Sequence, residues 1–175
     1  MQKRRIKNVI LAGGTVKGYC NIGVLVGTCN NGIINNCTVK NVNVSGSNNI
    51  GALVGTCNNG IIKNCSAIEG TVTGIDCTGG LVGYYYYSSD LGGKGIELSY
   101  AKVDVTGTGN RAGGIVGDIY CTSSMTIEKV YSTSNVTSTS DNVGGLFGKV
   151  YFSYSNLVVE EAYATGEVKG NNKVG

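Results

Sequence analysis

A short block with glycine at fixed places occurs five times in this sequence and constrains the fold more than any other feature. The copies begin near residues 22, 50, 78, 112 and 143, as in Ile22–Gly27 and Val143–Gly148. Their final glycines lie 28, 28, 34 and 31 residues apart. This period is shorter than that of a propeller blade, and the repeats contain too few helix-forming residues for a helical array. The repeat therefore predicts an all-β solenoid.

Each repeat continues into a second half in which apolar and polar residues alternate, and an additional half-repeat occupies residues 6–18. Short alternating segments separated by Asn-Gly and Gly-Gly pairs are typical of β-strands joined by tight turns. We therefore predict a parallel β-helix of about five to six coils, stacked about 4.8 Å apart. Its coil is expected to be right-handed, because parallel crossovers prefer that hand. We treat residues 1–175 as a single domain, and a stacked β-sandwich or prism remains the alternative.

Stacking of equivalent positions predicts two apolar columns inside the solenoid. The first column contains Leu25, Leu53, Leu81, Ile115 and Leu146. The second contains Ile34, Ile62, Ile96, Ile127 and Val159. The longer repeats are expected to accommodate their additional residues in loops, chiefly from Tyr84 to Gly95.

Charge and hydropathy argue against nucleic-acid binding, membrane insertion and a signal peptide. Charged residues make up 14% of the sequence and the net charge is +3, so we interpret the basic run Lys3–Arg5 as a solvated terminus and expect no nucleic acid. No apolar stretch is long enough to span a membrane. The apolar segment Val9–Ala12 is too short for a signal peptide. We predict no membrane insertion and no signal peptide in this chain.

Catalytic chemistry is also not expected. The sequence contains no histidine, and its acidic residues are scattered over different columns, whereas a glycosidase needs two facing carboxylates. Glu97, Glu128 and Glu160 align in one row, which we interpret as solvated. A zinc site is not expected without histidine or a Cys-x-x-Cys motif. We predict a protein that is not an enzyme and has no catalytic residues, metal or cofactor.

Two pairs of cysteines occupy equivalent positions one repeat apart. Cys29 aligns with Cys57, and Cys37 aligns with Cys65. The other repeats carry mostly apolar or small residues there, so both columns are predicted to face inward. Buried free thiols are one interpretation. Disulfide rungs are the other, although the axial Cβ spacing of about 4.8 Å is slightly long for a disulfide.

Tyrosines form two further columns in the C-terminal part of the chain. The first contains Tyr86, Tyr120 and Tyr151, and the second contains Tyr100, Tyr131 and Tyr163. By alternation both columns face outward and should form exposed ladders, with Tyr84, Tyr85 and Tyr87 nearby. Stacked identical side chains stabilise a sheet, and exposed tyrosines also suit a surface that binds glycans or proteins.

The glycine blocks, each followed by a segment like Ala162–Val168, resemble the GLUG motif repeat over nearly the whole chain. The first two copies differ from the family pattern, because Thr38 and Ser66 replace its tyrosine. The resemblance implies a bacterial cell-surface or secreted, adhesin-like protein in which such repeats act as non-catalytic modules. We therefore expect an extracellular, stiff spacer or contact surface, with glycans or host and cell-surface proteins as partners.

The two ends of the sequence match the interior of a repeat. Residues 170–175 resemble residues 46–51, which enter a new repeat. We interpret the chain as a segment of a longer array and part of a larger protein. The alternative is a subunit that associates head to tail into a fibre by strand pairing.

Overall fold

The computed structural model describes residues 4–88, 93–153 and 155–175. Over these ranges the protein contains no helix, and its 23 strands pair in parallel within three sheets. Successive repeats stack directly on one another, with Ile6, Ile34, Ile62 and Ile96 in register. The predicted all-β parallel solenoid is confirmed, with about five turns.

The three sheets differ in size. Sheet 1 has 13 strands, which are β1 (Arg5–Lys7), β2 (Ile10–Ala12), β3 (Thr15–Lys17), β6 (Ile33–Asn35), β7 (Thr38–Ser45), β10 (Ile61–Lys63), β11 (Ser66–Gly74), β14 (Gly93–Gly107), β17 (Met125–Ser132), β18 (Val136–Ser138), β21 (Leu157–Glu160), β22 (Tyr163–Ala164) and β23 (Val168–Lys169). Sheet 2 contains β4 (Cys20–Ile22), β8 (Asn48–Gly51), β12 (Asp76–Gly79), β15 (Ala112–Gly113) and β19 (Val143–Gly144). Sheet 3 contains β5 (Val26–Asn30), β9 (Val54–Asn58), β13 (Val82–Tyr87), β16 (Val116–Cys121) and β20 (Phe147–Phe152).

A complete coil passes through sheet 3, then sheet 1, then sheet 2. We number the coils 1 to 5 by their residues, 26–51, 54–79, 82–113, 116–144 and 147–175. Strands β1 to β4 precede coil 1 and pair with its strands in sheets 1 and 2. Equivalent residues of successive coils are therefore direct neighbours along the axis.

The corners of the solenoid are made by residues in the left-handed backbone conformation. Asn8, Asn36 and Asn64 follow the isoleucine column with φ between 51° and 58°, and Leu98, Lys129 and Glu161 continue the same column with φ between 48° and 55°. Asparagine tolerates this conformation better than other residues with a Cβ atom. A second corner is formed similarly by Asn21, Asn49, Cys77, Arg111, Asn142 and Lys173. These corners account for much of the asparagine in the sequence.

The interior consists of the predicted apolar columns. Leu53, Leu81 and Ile115 are fully buried, as are Ile34, Ile62, Ile96 and Ile127. Leu25 and Leu146 are half-buried against this core. Val159 differs, with 41% of its surface exposed, because no described strand covers β21 on the side away from β17. Burial is therefore complete only where a column has a neighbour on both sides.

The structure corrects the predicted loop from Tyr84 to Gly95. Residues 82–87 form strand β13, and β14 begins at Gly93; residues 89–92 lie outside the described residues. Tyr85 is fully buried, as its alignment with the inward column of Cys29 and Cys57 predicts, and its hydroxyl donates a hydrogen bond to the Gly60 carbonyl. It pairs in register with Cys57, so a large ring replaces a thiol in the same inward column. Tyr87 is also buried.

Candidate functional site

The two tyrosine columns form stacked ladders on different sheets. On sheet 3 the ring centroids of Tyr86 and Tyr120 are 5.8 Å apart, and those of Tyr120 and Tyr151 are 4.8 Å apart. On sheet 1 the Tyr100–Tyr131 and Tyr131–Tyr163 distances are 4.6 and 5.1 Å, with ring planes only 4° apart. Tyr151 and Tyr163 are 45% and 53% exposed, and the other four rings are half-buried.

Stacking determines which part of each ring faces the surroundings. The centroid distances are close to the spacing of strands, so neighbouring rings cover each other's faces along the axis. Burial between its neighbours raises the pKa of the Tyr131 hydroxyl. The ladders therefore present mainly ring edges and hydroxyl groups. Such a surface can donate and accept hydrogen bonds, but it offers few open ring faces against which a sugar could pack.

The two cysteine columns face inward, and all seven cysteines are free. Cys29 and Cys57 are register partners on adjacent strands. The Cys57 thiol donates a hydrogen bond to the Cys29 sulfur, which lowers the pKa of Cys29 to about 7 and raises that of Cys57. Cys65 also lies near Cys37, and burial raises the pKa of Cys65 to about 12. Of Cys29, Cys57 and Cys65, Cys29 is therefore the one that most readily forms a thiolate.

The row of glutamates is solvated only in part: Glu160 is exposed, as the sequence suggested, but Glu97 is not. Glu97 is only 2% exposed, and its carboxylate pairs with the Lys63 ammonium at 3.0 Å and with that of Lys94 at 3.5 Å. Lys94 also reaches the Glu128 carboxylate at 3.1 Å, which lowers the pKa of Glu128 and raises that of Lys94. The two lysines therefore join Glu97 and Glu128 in an ion-pair network between coils.

Sequence reasoning missed a charged cluster at the corner between sheets 2 and 3. The Arg111 guanidinium donates from Nε to Asp76 Oδ1 at 3.0 Å and from Nη1 to Asp118 Oδ2 at 2.8 Å. A further bond joins Nη2 to Asp76 Oδ2. Hydrogen bonding to Asp76 is the main cause of the raised pKa of Arg111. One sequence feature could have indicated this cluster. At the aligned corner position that carries asparagine in several repeats, Cys77 and Arg111 stand instead.

A shallow depression opens beside this cluster. Its lining consists of Asn48, Asn49, Asp76, Cys77, Tyr84 and Arg111. Burial raises the pKa of Cys77 and of Tyr84 to about 12, and the Asp118 carboxylate adds to both shifts. Both groups are therefore protonated at neutral pH, and the Tyr84 hydroxyl can donate a hydrogen bond. The depression combines an aromatic ring with amide, carboxylate and guanidinium groups.

Other features that would indicate a reaction or a membrane span were not found in the described ranges. Within them, no group of three or more His, Cys, Asp or Glu residues could hold a metal ion. No helix in the described part of the chain is long and apolar enough to cross a membrane. Asp76 and Asp118 are bridged by Arg111, and Glu97 and Glu128 by Lys94, rather than arranged across an open cleft.

Comparison with known proteins identifies the fold but no family. No protein-family model matches the chain, and no curated protein matches it. Among solved structures, a putative immunoglobulin A1 protease from Bacteroides ovatus is similar, with a TM-score of 0.68 and 24% sequence identity. The match covers 98% of this chain and 60% of that chain, so this chain spans well under two thirds of the length of its structural neighbour. This similarity establishes a shared β-solenoid architecture.

Proposed function

We propose that this chain is a non-enzymatic, stiff repeat segment of a bacterial cell-surface or secreted protein, in which it acts as a spacer. The observation that carries this proposal is the stacking of successive coils through three parallel sheets, in register except at two shifts in sheet 1. The similarity to a solved β-solenoid that is longer than this chain supports a role as one part of a larger protein. The resemblance to GLUG repeats agrees with the surface context.

Stiffness follows from contacts that repeat along the axis. The backbone pairs between coils in all three sheets, and side chains add further links outside the core. Asn58 donates to Asn30 at 2.8 Å, and Thr71 donates to Asn43 at 2.9 Å. Bending the rod would stretch these bonds on one side while compressing the packed core on the other. We therefore expect a rod with little internal flexibility.

A distance measurement between two spin labels tests this rigidity. Lys17 and Lys169 belong to one column of sheet 1, through Ser45, Thr73, Thr106 and Thr137. Five steps of about 4.8 Å place their backbones about 24 Å apart. Labels should be introduced through unnatural amino acids, because the native cysteines would compete. One narrow distance distribution is expected, and a broad distribution would refute a stiff spacer.

Incubation with human immunoglobulin A1 tests the non-enzymatic part of the proposal. The structural neighbour has a name that refers to protease activity, so this substrate is the relevant one to try. We expect the heavy chain to remain intact on gels and in intact-mass spectra after prolonged incubation with the purified chain. Cleavage that scales with the concentration of this chain would overturn the proposal.

A second candidate function is contact with cell-surface proteins through the tyrosine ladders. The observation that favours it is the set of ring edges and hydroxyls on two sheets, with Tyr151 and Tyr163 about half exposed. Tyrosine edges with polar tips suit protein interfaces, whereas covered ring faces do not favour sugar stacking.

Binding of the fluorescent chain to cultured epithelial cells, measured by flow cytometry, tests this second candidate. Replacing Tyr86, Tyr120 and Tyr151 together by asparagine, which stands at this position in coils 1 and 2, should abolish binding while retaining the fold. Trypsin treatment of the cells should remove binding, and periodate treatment should not. Unchanged binding of the triple variant would exclude the ladder on sheet 3.

A further inference from the structure

The outer surface of sheet 3 changes character abruptly between coils 2 and 3. In one outward column of sheet 3, Thr28 belongs to coil 1, Thr56 to coil 2 and Tyr84 to coil 3. In the neighbouring outward column, Asn58 belongs to coil 2 and Tyr86 to coil 3. Small polar side chains of coils 1 and 2 thus give way to large rings in coil 3. The change creates a step, and the depression lined by Tyr84 lies at this step.

The polar groups around the depression are held in place by their own hydrogen bonds. Asn49 donates to Asn21 at 2.8 Å, and Thr56 donates to the same Asn21 oxygen at 2.7 Å. Arg111 is fixed by three bonds to Asp76 and Asp118. A guanidinium has five N–H donors, so further donors remain for a ligand. The site is therefore preorganised, which lowers the entropic cost of binding.

The charges of the cluster indicate the class of ligand. Arg111 lies between the carboxylates of Asp76 and Asp118, and Lys149 is the register partner of Asp118 on the adjacent strand. Two cations thus balance two carboxylates. A phosphate or carboxylate ligand would meet no uncompensated cation, and a metal ion would compete with the bound guanidinium. The balance favours an uncharged ligand rich in hydroxyl groups.

We propose that the depression at the step between coils 2 and 3 is a binding subsite for a neutral saccharide. The ring of Tyr84 supplies an aromatic surface for the C–H groups of a sugar, and the amides of Asn48 and Asn49 reach its hydroxyls. Arg111 donates to sugar oxygens, while Asp76 accepts from hydroxyls. Aromatic surface next to amide and charged hydrogen-bonding groups is the combination expected of small polar ligand sites.

This site is independent of the proposed spacer function, because the stack of coils does not require it. It also differs from the tyrosine ladders, since Tyr84 belongs to a column that continues as Asp118 and Lys149. The ladder on sheet 3 can therefore be altered while the site is kept, and the site can be altered while the ladder is kept.

Titration of the isotope-labelled 175-residue chain with neutral trisaccharides, followed by NMR, tests the proposal. The panel contains α- and β-linked trisaccharides of glucose, mannose, galactose and N-acetylglucosamine. At least one should shift the side-chain amide signals of Asn48 and Asn49 and the Nε–H signal of Arg111. Tyr84→Thr, which introduces the residue found in coils 1 and 2, should weaken binding at least about tenfold. Tyr120→Asn is the matched control and should bind with unchanged affinity.

Two results would overturn the proposal. One is an absence of shifts at the depression for every member of the panel up to about 50 mM, far above the millimolar dissociation constant of a weak ligand. The other is binding that survives Tyr84→Thr but disappears in Tyr120→Asn, which would move the saccharide site to the ladder. Thermal unfolding of each variant shows whether a loss of binding merely reflects a loss of the fold.

Discussion

Substitution of Asn36 isolates the contribution of a single corner to the stability of the solenoid. Asn36 has φ of 53° and lies at the centre of an amide ladder. Its Nδ2 donates to Asn8 at 2.9 Å, and its Oδ1 accepts from Asn64 at 3.0 Å. Alanine and glycine both remove these two bonds. They differ in that glycine adopts the left-handed conformation freely, whereas alanine does not.

The expected magnitudes follow from these terms. Each exposed amide bond contributes at the lower end of about 0.5–1.5 kcal/mol, so losing both costs about 1 kcal/mol. The left-handed conformation costs alanine about 1–2 kcal/mol more, while glycine loses about 0.5–1 kcal/mol through backbone entropy. Asn36→Ala should therefore destabilise the protein by about 2–3 kcal/mol and Asn36→Gly by about 1.5–2 kcal/mol. In a chain of this size, each kcal/mol of difference in stability between the two variants should change Tm by about 2–4 °C.

Asn43 provides the matched control. It is an exposed asparagine in strand β7 whose amide oxygen accepts a bond from Thr71 at 2.9 Å, and its φ is not positive. In this strand the usual order should hold, with alanine more stable than glycine by about 0.5–1 kcal/mol. Urea unfolding of the four variants tests the reversal. The same order at Asn36 and Asn43 would refute the account of the corners.

Three further predictions concern the interior. Ile62→Ala should cost about 2–5 kcal/mol in unfolding free energy, whereas Val159→Ala in the same column should cost less than about 1 kcal/mol because that side chain is partly exposed. Tyr85→Phe should cost about 1–3 kcal/mol in urea unfolding, since the buried carbonyl that its hydroxyl binds loses its donor. The rate of alkylation of Cys29 should rise as the pH passes 7, following its lowered pKa, while Cys57 should stay unmodified at that pH. Peptide mass mapping measures both, and the opposite order would contradict the assigned hydrogen bond.

The candidate sites were only partly predictable from sequence. The tyrosine columns and the cysteine columns were identified by aligning the repeats, because each column needs only the correct register. The cluster of Arg111 with Asp76 and Asp118 was not identified, since its three side chains come from different positions of three successive coils. The burial of Glu97 was also missed, because the alignment pairs Glu97 with Lys63 but does not show that Lys94 of the same strand folds over the carboxylate as well.

The amino-acid sequence by itself determined the solenoid, the strand register and the inward columns, because a period near 30 residues with alternating polarity has few other ways to bury its apolar side. Only the tertiary structure decided how side chains meet between coils. It joined the Tyr85 hydroxyl to the Gly60 carbonyl, covered the ring faces of the ladders and left Tyr84 at the step beside Arg111. Register is set by the backbone pattern of each repeat, whereas side-chain contacts depend on the size and charge of the residues in neighbouring coils, up to 41 residues away along the chain.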